Sequence, residues 1–505
     1  MPSKKVYQLL ESNNEKQDNI IRNYLSNISL FIFITCCILS LFLLTLIPSF
    51  IFPNDNRCII PNIAISEENH CEGKYIYVLD LPSKYNQDFL ENCSILNPFF
   101  NECKVLTNSG LGPKLTFSNE TVFSGDNWFE TDQFSLEVII HNRIKQYKCL
   151  TNDSSHANAI FVPFYSGLDV GRYLWSSNIT LRDETSMDLA KYLVQKPEWK
   201  RFGGRDHFLI AGRITWDFGR RSDNTSTPEG WGNHLLDLPE FRNMTTLLLE
   251  ASPTSKSEMG IPYPTYFHPS SGNEVVNWQE KMREKPRPHL YSFAGAPRPY
   301  MKDSLRNVII DQCLASRARH CEFLHVNLSV TPENIMNLFQ KSDFCLQPPG
   351  DSYTRKSTFD TILAGCIPVL FHPGSAYVHY IWHLPKDYSR YSVFIPMDEV
   401  MEGKVSIEKI LLKIPKEKIR AMREEVIKLI PRIVYANPNS DVDDLEDAFD
   451  VLVQGVLSRV EKLKREINEG KNATSESVVP DTLAWKYKFF GDLENKDWDK
   501  YFGFL

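Results

Sequence analysis

Apolar residues in this chain come as one long run, as several short continuous runs, and as stripes at helical spacing. The long run, LFIFITCCILSLFLLTLI at residues 30–47, lies in a stretch without charge from Ile28 to Phe52, which is enough to span a bilayer. Short runs at 75–78, 159–164, 207–211, 289–294, around Phe323, and at 344–346, 367–371 and 391–395 read as buried strands. Between them, helical spacing predicts helices at 134–147 (Phe134, Val138, Ile139 and Ile144 on one face), 186–194, 303–315, 332–341, 407–412, 416–429 and 446–467. Strands alternating with amphipathic helices argue for α/β lobes built on parallel sheets. The Pro-rich, polar stretch 260–287 reads as a linker, so two Rossmann-like lobes are expected to face each other across a cleft. The expected organisation is a tail at 1–27, a transmembrane anchor at 28–52, a stem at 53–72, lobes at 73–270 and 271–460, and a tail at 461–505.

Charge sets the orientation. Lys4, Lys5, Lys16 and Arg22 precede the apolar run and only Arg57 follows closely, so the N-terminus is expected in the cytosol and the body in a lumen or outside the cell. The run is long and no small-residue cleavage site follows, which favours an uncleaved signal anchor. Glycosylation sequons at Asn92, Asn119, Asn152, Asn178, Asn224, Asn243, Asn327 and Asn472 agree with a lumenal body. Of the 11 cysteines, those beyond the anchor are odd in number, so at least one is unpaired within the chain. Cys93 with Cys103 and Cys313 with Cys321 are the short-loop disulfide candidates; Cys345 and Cys366 read as small core residues. The 56 basic and 63 acidic residues sum to a net charge of -7, which offers no footprint for nucleic acid.

Candidate chemistry gathers at 344–371, FCLQPPGDSYTRKSTFDTILAGCIPVLF. A strand, a turn at Gly350, a helix start near Ser352 or Thr354, a left-handed stop at Gly365 and a second strand make one parallel-sheet unit. Backbone N–H groups at such a helix start receive anions. Arg355 and Lys356 in the first turn oppose the helix dipole, which points to a ligand of high negative charge such as a diphosphate. Asp360 can accept hydrogen bonds from a ribose or a sugar diol. Asp351 and Ser352 lie on the same turn, and Arg298 follows the Gly295 turn at the mouth of the first strand in the second lobe, where a guanidinium can fork onto phosphate.

Several motifs carry a family resemblance: VPFYSGLDVGRYLW (162–175), DHFLIAGRITWDFGR (206–220), PYPTYFHP (262–269), FAGAPRP (293–299), PPGDSYTRKSTFDTILAGCIPV (348–369) and HPGSAY (372–377). In order and over most of the body, they closely resemble the plant exostosin-type glycosyltransferases of family 47, and within them the KATAMARI/MURUS-type xyloglucan galactosyltransferases. The resemblance implies a type II Golgi membrane protein with a GT-B fold, a nucleotide-sugar donor held mainly by the second lobe, and inversion without a divalent metal or other cofactor. Galactose from UDP-galactose onto xylosyl side chains of xyloglucan is the implied reaction, with galacturonic acid or arabinose as alternative sugars. The Golgi membrane and other Golgi glycosyltransferases are the implied partners.

Other readings attach to single motifs. Gly350-Asp351-Ser352 also spells the start of a serine esterase motif, but no Asp-x-x-His follows it. Asp441-Val442-Asp443 and Asp497-Trp498-Asp499 spell a metal-binding Asp-x-Asp outside the apolar strand end that chemistry needs. His379 and His383 can share a helical face as metal ligands, although the aromatic residues between them favour a packed wall. A carbohydrate-binding protein without catalysis is the non-enzymatic alternative, with Trp128, Trp175, Trp216, Trp231 and Trp278 as stacking candidates. Inversion needs a base from the first lobe, beyond the strand ends that face the cleft. Asp217 is the first choice and Asp169 the second; Arg213 can orient either, and Trp216 adjoins Asp217 on the acceptor side. His207 stands at the opposite end of its strand, where packing beside Trp199 is the expected role.

Overall fold

A computed structural model of the chain describes residues 70–117, 121–174, 176, 178–220, 230–301, 304–316, 320–440, 444–470 and 501–502. The expected cytosolic tail, anchor and most of the stem lie outside them, as do Asn119, Asn224, Asn472, Trp175 and both Asp-x-Asp sequences. Everything below belongs to one compact unit, Asn69–Leu505. No helix among the described residues is long and apolar enough to cross a membrane.

Two wholly parallel five-stranded sheets form the framework. The first holds β1 (Ile76–Val78), β2 (Ala159–Phe161), β3 (His207–Ile210), β4 (Thr245–Leu248) and β5 (Glu258–Gly260) in sequence order. The second holds β6 (His289–Gly295), β7 (Cys321–His325), β8 (Ser342–Gln347), β9 (Ile367–Leu370) and β10 (Val393–Phe394) in the order β10-β9-β8-β6-β7. Its order reverses at β6, because β7 lies on one side and β8 on the other. A parallel sheet opens a crevice at the carboxyl ends of the strands where its order reverses, and ligands bind there.

Strand side chains alternate between faces, and the two faces of the first sheet have different fates. Ile160, Leu209 and Leu248 pack into a core of the first lobe alone. Phe161, Phe208 and Leu247 join a core that continues through Trp128 and Trp278 into Phe344, Phe359 and Val369 of the second lobe. Strands buried on both faces read as unbroken apolar runs, which is why the sequence pattern locates most of them.

Four features depart from the expectations. The stretch 260–287 is not a bare linker, because it contains the helix Gly272–Glu284, whose buried Val275, Trp278 and Met282 lie at i, i+3 and i+7. Strands β4 and β5 were not foreseen; β5 is three residues long and begins with a glutamate. Cys345 and Cys366 are not isolated core residues but a disulfide joining β8 to the start of β9. Cys71 pairs with Cys149, while Cys93–Cys103 and Cys313–Cys321 form as expected.

The expected boundary at residue 460 falls inside a single helix, Ala448–Asn468. This helix returns over the first lobe: Arg459 Nε donates to Thr245 Oγ1 at 3.0 Å and Lys464 Nζ to the Asn158 carbonyl at 2.8 Å. Its start is fixed by a capping box of Asp447 and Asp450, and Arg143 of the first lobe reaches Asp447 at 3.4 Å.

Trp278 is the hinge pin of the shared core. Its ring meets Trp128 of the first lobe at 4.6 Å, and its Nε1 donates to the Leu363 carbonyl of the second at 2.8 Å. Trp278→Ala would lose apolar burial, leave a cavity and orphan a carbonyl. Destabilisation of about 3–5 kcal/mol is expected, read as a lowered melting temperature with weakened cooperativity between the lobes. An unchanged melting curve would show that the core does not couple them.

Candidate active site

At the switch point of the second sheet, three guanidiniums from three segments converge. Arg298 lies on the loop after β6, Arg306 in the first turn of the helix Leu305–Ala315, and Arg355 at the N-cap of the helix Lys356–Leu363. Gly350, on the loop after β8, sits beneath two of them: a Cβ there would lie 3.3 Å from Arg306 Nη2 and 3.5 Å from Arg355 Nη1. Asn307 holds the first loop by receiving the Arg298 N–H at 2.9 Å and donating to the carbonyls of Arg298 and Met301 at 2.9 and 3.0 Å. Asp351 pairs with Arg298, yet its side chain is 97% exposed. Burial, then Arg306 and Arg298, push the Arg355 pKa down to about 10. Positive charge compressed in this way is relieved by an anion, and paired guanidiniums match phosphate oxygens.

A first-lobe carboxylate clasps the loop that carries Arg355. Glu250, just beyond β4, accepts from the N–H and the hydroxyl of Thr354, both at 2.7 Å, and also bonds the Ser352 hydroxyl. Thr354 Oγ1 lies 3.0 Å from the Tyr263 hydroxyl, and the Tyr380 hydroxyl donates to the Leu249 carbonyl at 2.7 Å. Ser352 therefore faces a carboxylate where an esterase serine needs a histidine.

Lys356 and Asp360 turn inward. Lys356 Nζ bonds both carboxylate oxygens of Asp360 at 3.0 and 3.1 Å and lies 3.2 Å from the centre of the Tyr266 ring. Burial favours the neutral form of each, and the ion pair opposes it. Asp360 reaches a donor sugar only if Lys356 shares it.

On the first lobe, Asp217 closes a short turn, Thr215–Asp217, just past β3. Glu258 of β5 receives the Thr215 hydroxyl at 2.8 Å and anchors the start of the turn. Asp217 receives Trp231 Nε1 at 2.6 Å and lies 3.6 Å from Arg213 Nη1. Burial raises its pKa, with Arg213 and Trp231 opposing. Tyr263 feels the charges of Glu250, Asp217 and Arg355, and its hydroxyl lies 3.0 Å from Thr354 Oγ1. Trp216 beside it is 69% exposed, whereas Trp128 and Trp278 are core.

The remaining sequence candidates lie elsewhere. Asp169 is in the first turn of the helix Ser166–Tyr173, paired with Arg172 and bonded to Thr185 of the neighbouring helix Ile179–Gln195. His207 is fully buried, its Nδ1 2.8 Å from Asp206 and its ring 5.2 Å from Trp199. His379 and His383 are buried, and His383 Nε2 meets the Ala448 carbonyl at 3.1 Å. No group of three metal-ligating side chains occurs among the described residues. Arg306, Glu250 and Tyr263 were missed. Arg306 had the signal used for Arg355, a cation in the first turn of a helix that follows a strand and a glycine. A concavity of about 1370 Å³ lies between the helix Ala448–Asn468 and residues 70–74 and shares no residue with the arginine cluster.

The exostosin GT47 domain matches residues 70–411. The chain belongs to this family. Among its relatives, the xyloglucan galactosyltransferase MUR3 of Arabidopsis thaliana is 51% identical over 444 residues, 86% of this chain and 71% of that protein. The probable xyloglucan galactosyltransferase GT12 of the same plant is 49% identical over 417 residues, 81% of each chain. Xyloglucan-specific galacturonosyltransferase 1, also from Arabidopsis thaliana, is 41% identical over 397 residues, covering 78% of this chain and 58% of that one. Among solved structures, the GtfA/B complex aligns with a TM-score of 0.31 at 10% identity, over 71% of this chain and 64% of that one. So distant a likeness carries no argument, and the architecture of this exostosin-family chain rests on its own two sheets.

The arginine cluster predicts how this family member meets a diphosphate. Arg306→Ala and Arg355→Ala should each weaken UDP binding by about 1.5–3 kcal/mol, roughly 10- to 150-fold, with little change in melting temperature. Calorimetric titration with UDP checks this; unchanged affinity in both variants would remove the cluster from the donor site.

Proposed function

We propose that this protein is an inverting, metal-independent glycosyltransferase that moves galactose from UDP-galactose onto a xylosyl side chain of xyloglucan. It works as a single-pass type II protein with its body in the Golgi lumen. One observation carries the reading: three second-lobe arginines crowd the switch point of their sheet, and a buried first-lobe carboxylate, Asp217, stands just past β3, with Tyr263 inside the electrostatic range of both Asp217 and Arg355. Together these supply the two halves of a displacement at an anomeric carbon. Asp217 takes the acceptor hydroxyl proton as that oxygen forms its bond to the anomeric carbon. The bond from that carbon to the diphosphate breaks on the opposite face, and Arg298, Arg306 and Arg355 receive the charge that develops on UDP. Guanidiniums do here what a divalent cation does in metal-dependent transferases. The names of the relatives support galactose and xyloglucan, and the matched motifs support the two-lobed GT-B mode of binding. The galacturonosyltransferase among them supports galacturonic acid as the second reading. The lumenal placement is supported by the apolar run at 30–47 and by the exposure of the sequons Asn92, Asn152, Asn178 and Asn327; Asn243 is half-buried.

Incubating the purified chain with xylosylated glucan oligosaccharides and a panel of UDP-sugars tests the donor, the acceptor and catalysis at once. Transfer of galactose is expected, and it should persist in excess chelator. UDP binding without transfer or donor hydrolysis would favour a carbohydrate-binding protein. Asp217→Asn is expected to lower turnover by about 10²–10⁴-fold while leaving UDP affinity intact. Asp169→Asn should cost less, because Asp169 faces Arg172 and Thr185. Loss with Asp169→Asn and not with Asp217→Asn would reverse the assignment. Asp217 acts only when deprotonated, and burial raises its pKa above the ordinary 3.8. Turnover should therefore fall on acidification through a midpoint above 3.8, a limb that a kcat–pH profile reads directly.

A further inference from the structure

Behind the Asp217 turn lies a buried carboxylate that the proposed chemistry does not use. Glu137, on the helix Leu136–Ile144, is 1% exposed. Its oxygens accept from four donors: the Ser166 hydroxyl at 3.0 Å and the N–H groups of Gly167 at 2.6 Å, Leu168 at 3.3 Å and Gly212 at 3.2 Å. The first three open the helix after β2; the fourth lies just beyond β3. The approach is close at both glycines: a Cβ at Gly212 would lie 2.7 Å from Glu137 Cγ, too near without a shift, and one at Gly167 would lie 3.2 Å from its Oε2. Arg213 Nε donates back to the Gly167 carbonyl at 2.8 Å, its guanidinium lies 4.2 Å from the centre of the Phe134 ring, and its Nη1 stands 3.6 Å from Asp217. Gly167 is thus held on both sides, by Glu137 at its N–H and by Arg213 at its carbonyl.

We infer that Glu137 is a positioning residue: its carboxylate locks the strand-end loops after β2 and β3 together and so sets Arg213 against Asp217 for the proton transfer. Four donors converge, and an ionised carboxylate accepts without donating. The Ser166, Gly167 and Gly212 donors share Oε1 and the Leu168 N–H meets Oε2, so a glutamine that keeps its oxygen at the first would set an N–H₂ group against the Leu168 N–H. Burial pushes the Glu137 pKa up to about 7, with the Gly167, Ser166 and Leu168 bonds and Arg213 opposing, so near pH 7 the side chain is divided between charged and neutral forms, and each accepted hydrogen bond favours the charged one. The inference rests on the proposed reading of Asp217 and is tested separately from it.

In the full-length chain, Glu137→Gln is expected to lower kcat about 10- to 100-fold, the scale of a misplaced catalytic group, with the affinity for UDP within twofold of wild type. Because Arg213 helps hold the Asp217 pKa down, the acidic limb of the kcat profile should also move upward in pH. Hydrogen exchange of residues 211–218 should quicken while that of residues 350–356 does not. Exchange needs no acceptor, so it tests the positioning even if the wild-type chain proves inactive on xyloglucan, the result that would sink the functional reading instead. If Glu137→Gln does not accumulate, Glu137→Asp keeps the acceptor-only group and should show the same changes at smaller size. Unaltered exchange at 211–218, or a fall in kcat matched by an equal fall in UDP-binding-competent protein with the acidic limb unmoved, would overturn the inference.

Discussion

Like charges held close in a half-buried crevice repel, and the second lobe concentrates three of them at its switch point. Arg298, Arg306 and Arg355 stay together because each is fixed by something other than the cluster: Asn307 pins the first loop, the helix Leu305–Ala315 carries the second, and Glu250 clasps the loop of the third. The free energy stored in that arrangement is released by an anion. A binding site of this kind is preorganised, since the repulsion has been met during folding and need not be met again when the ligand arrives.

The clasp ties the lobes to one another as well. Glu250 belongs to the first lobe and Thr354 to the second, so the loop that carries Arg355 cannot shift without disturbing the first lobe. The same economy appears in the apolar core, where Phe161, Phe208 and Leu247 share a continuous interior with Phe344 and Phe359. Lys356 and Asp360 illustrate the other fate of charge at this boundary. They satisfy each other against Tyr266 and support the helix start that carries Arg355, rather than projecting into the crevice.

Where pattern and structure agree, the cause is local. Strands buried on both faces must be apolar throughout, so β2, β3, β6, β8 and β9 are legible as runs. The stop at Gly365, with φ of 64°, follows from the one residue that adopts that backbone freely. Where they disagree, the missing information is distant. Val275, Trp278 and Met282 have helical spacing, but prolines on either side of the helix masked it; burial against Trp128 and Leu363 decides that the segment is helical. Cys345 and Cys366 stand 21 residues apart, and their pairing depends on β8 and β9 lying side by side. Cys93–Cys103 and Cys313–Cys321 were legible because short loops keep their partners near whatever the fold.

By itself, the sequence determined the alternation that makes two parallel sheets, the glycine at the end of β6 and the one on the loop after β8, and the cationic helix start at Arg355. It also offered two carboxylates past strand ends, Asp217 after β3 and Asp169 after β2, because strand direction tells which end of a strand can face a ligand. Only the tertiary structure decided which of these groups meet. Arg306 joins Arg355 over Gly350, Asp217 takes Trp231 and Arg213 as partners while Asp169 takes Arg172, and Glu137 joins two loops that follow different strands. The physical reason is that helix and strand periodicity are set by contacts a few residues apart, whereas the field at a buried charge sums over everything packed around it. Spacing along the chain carries no record of that sum.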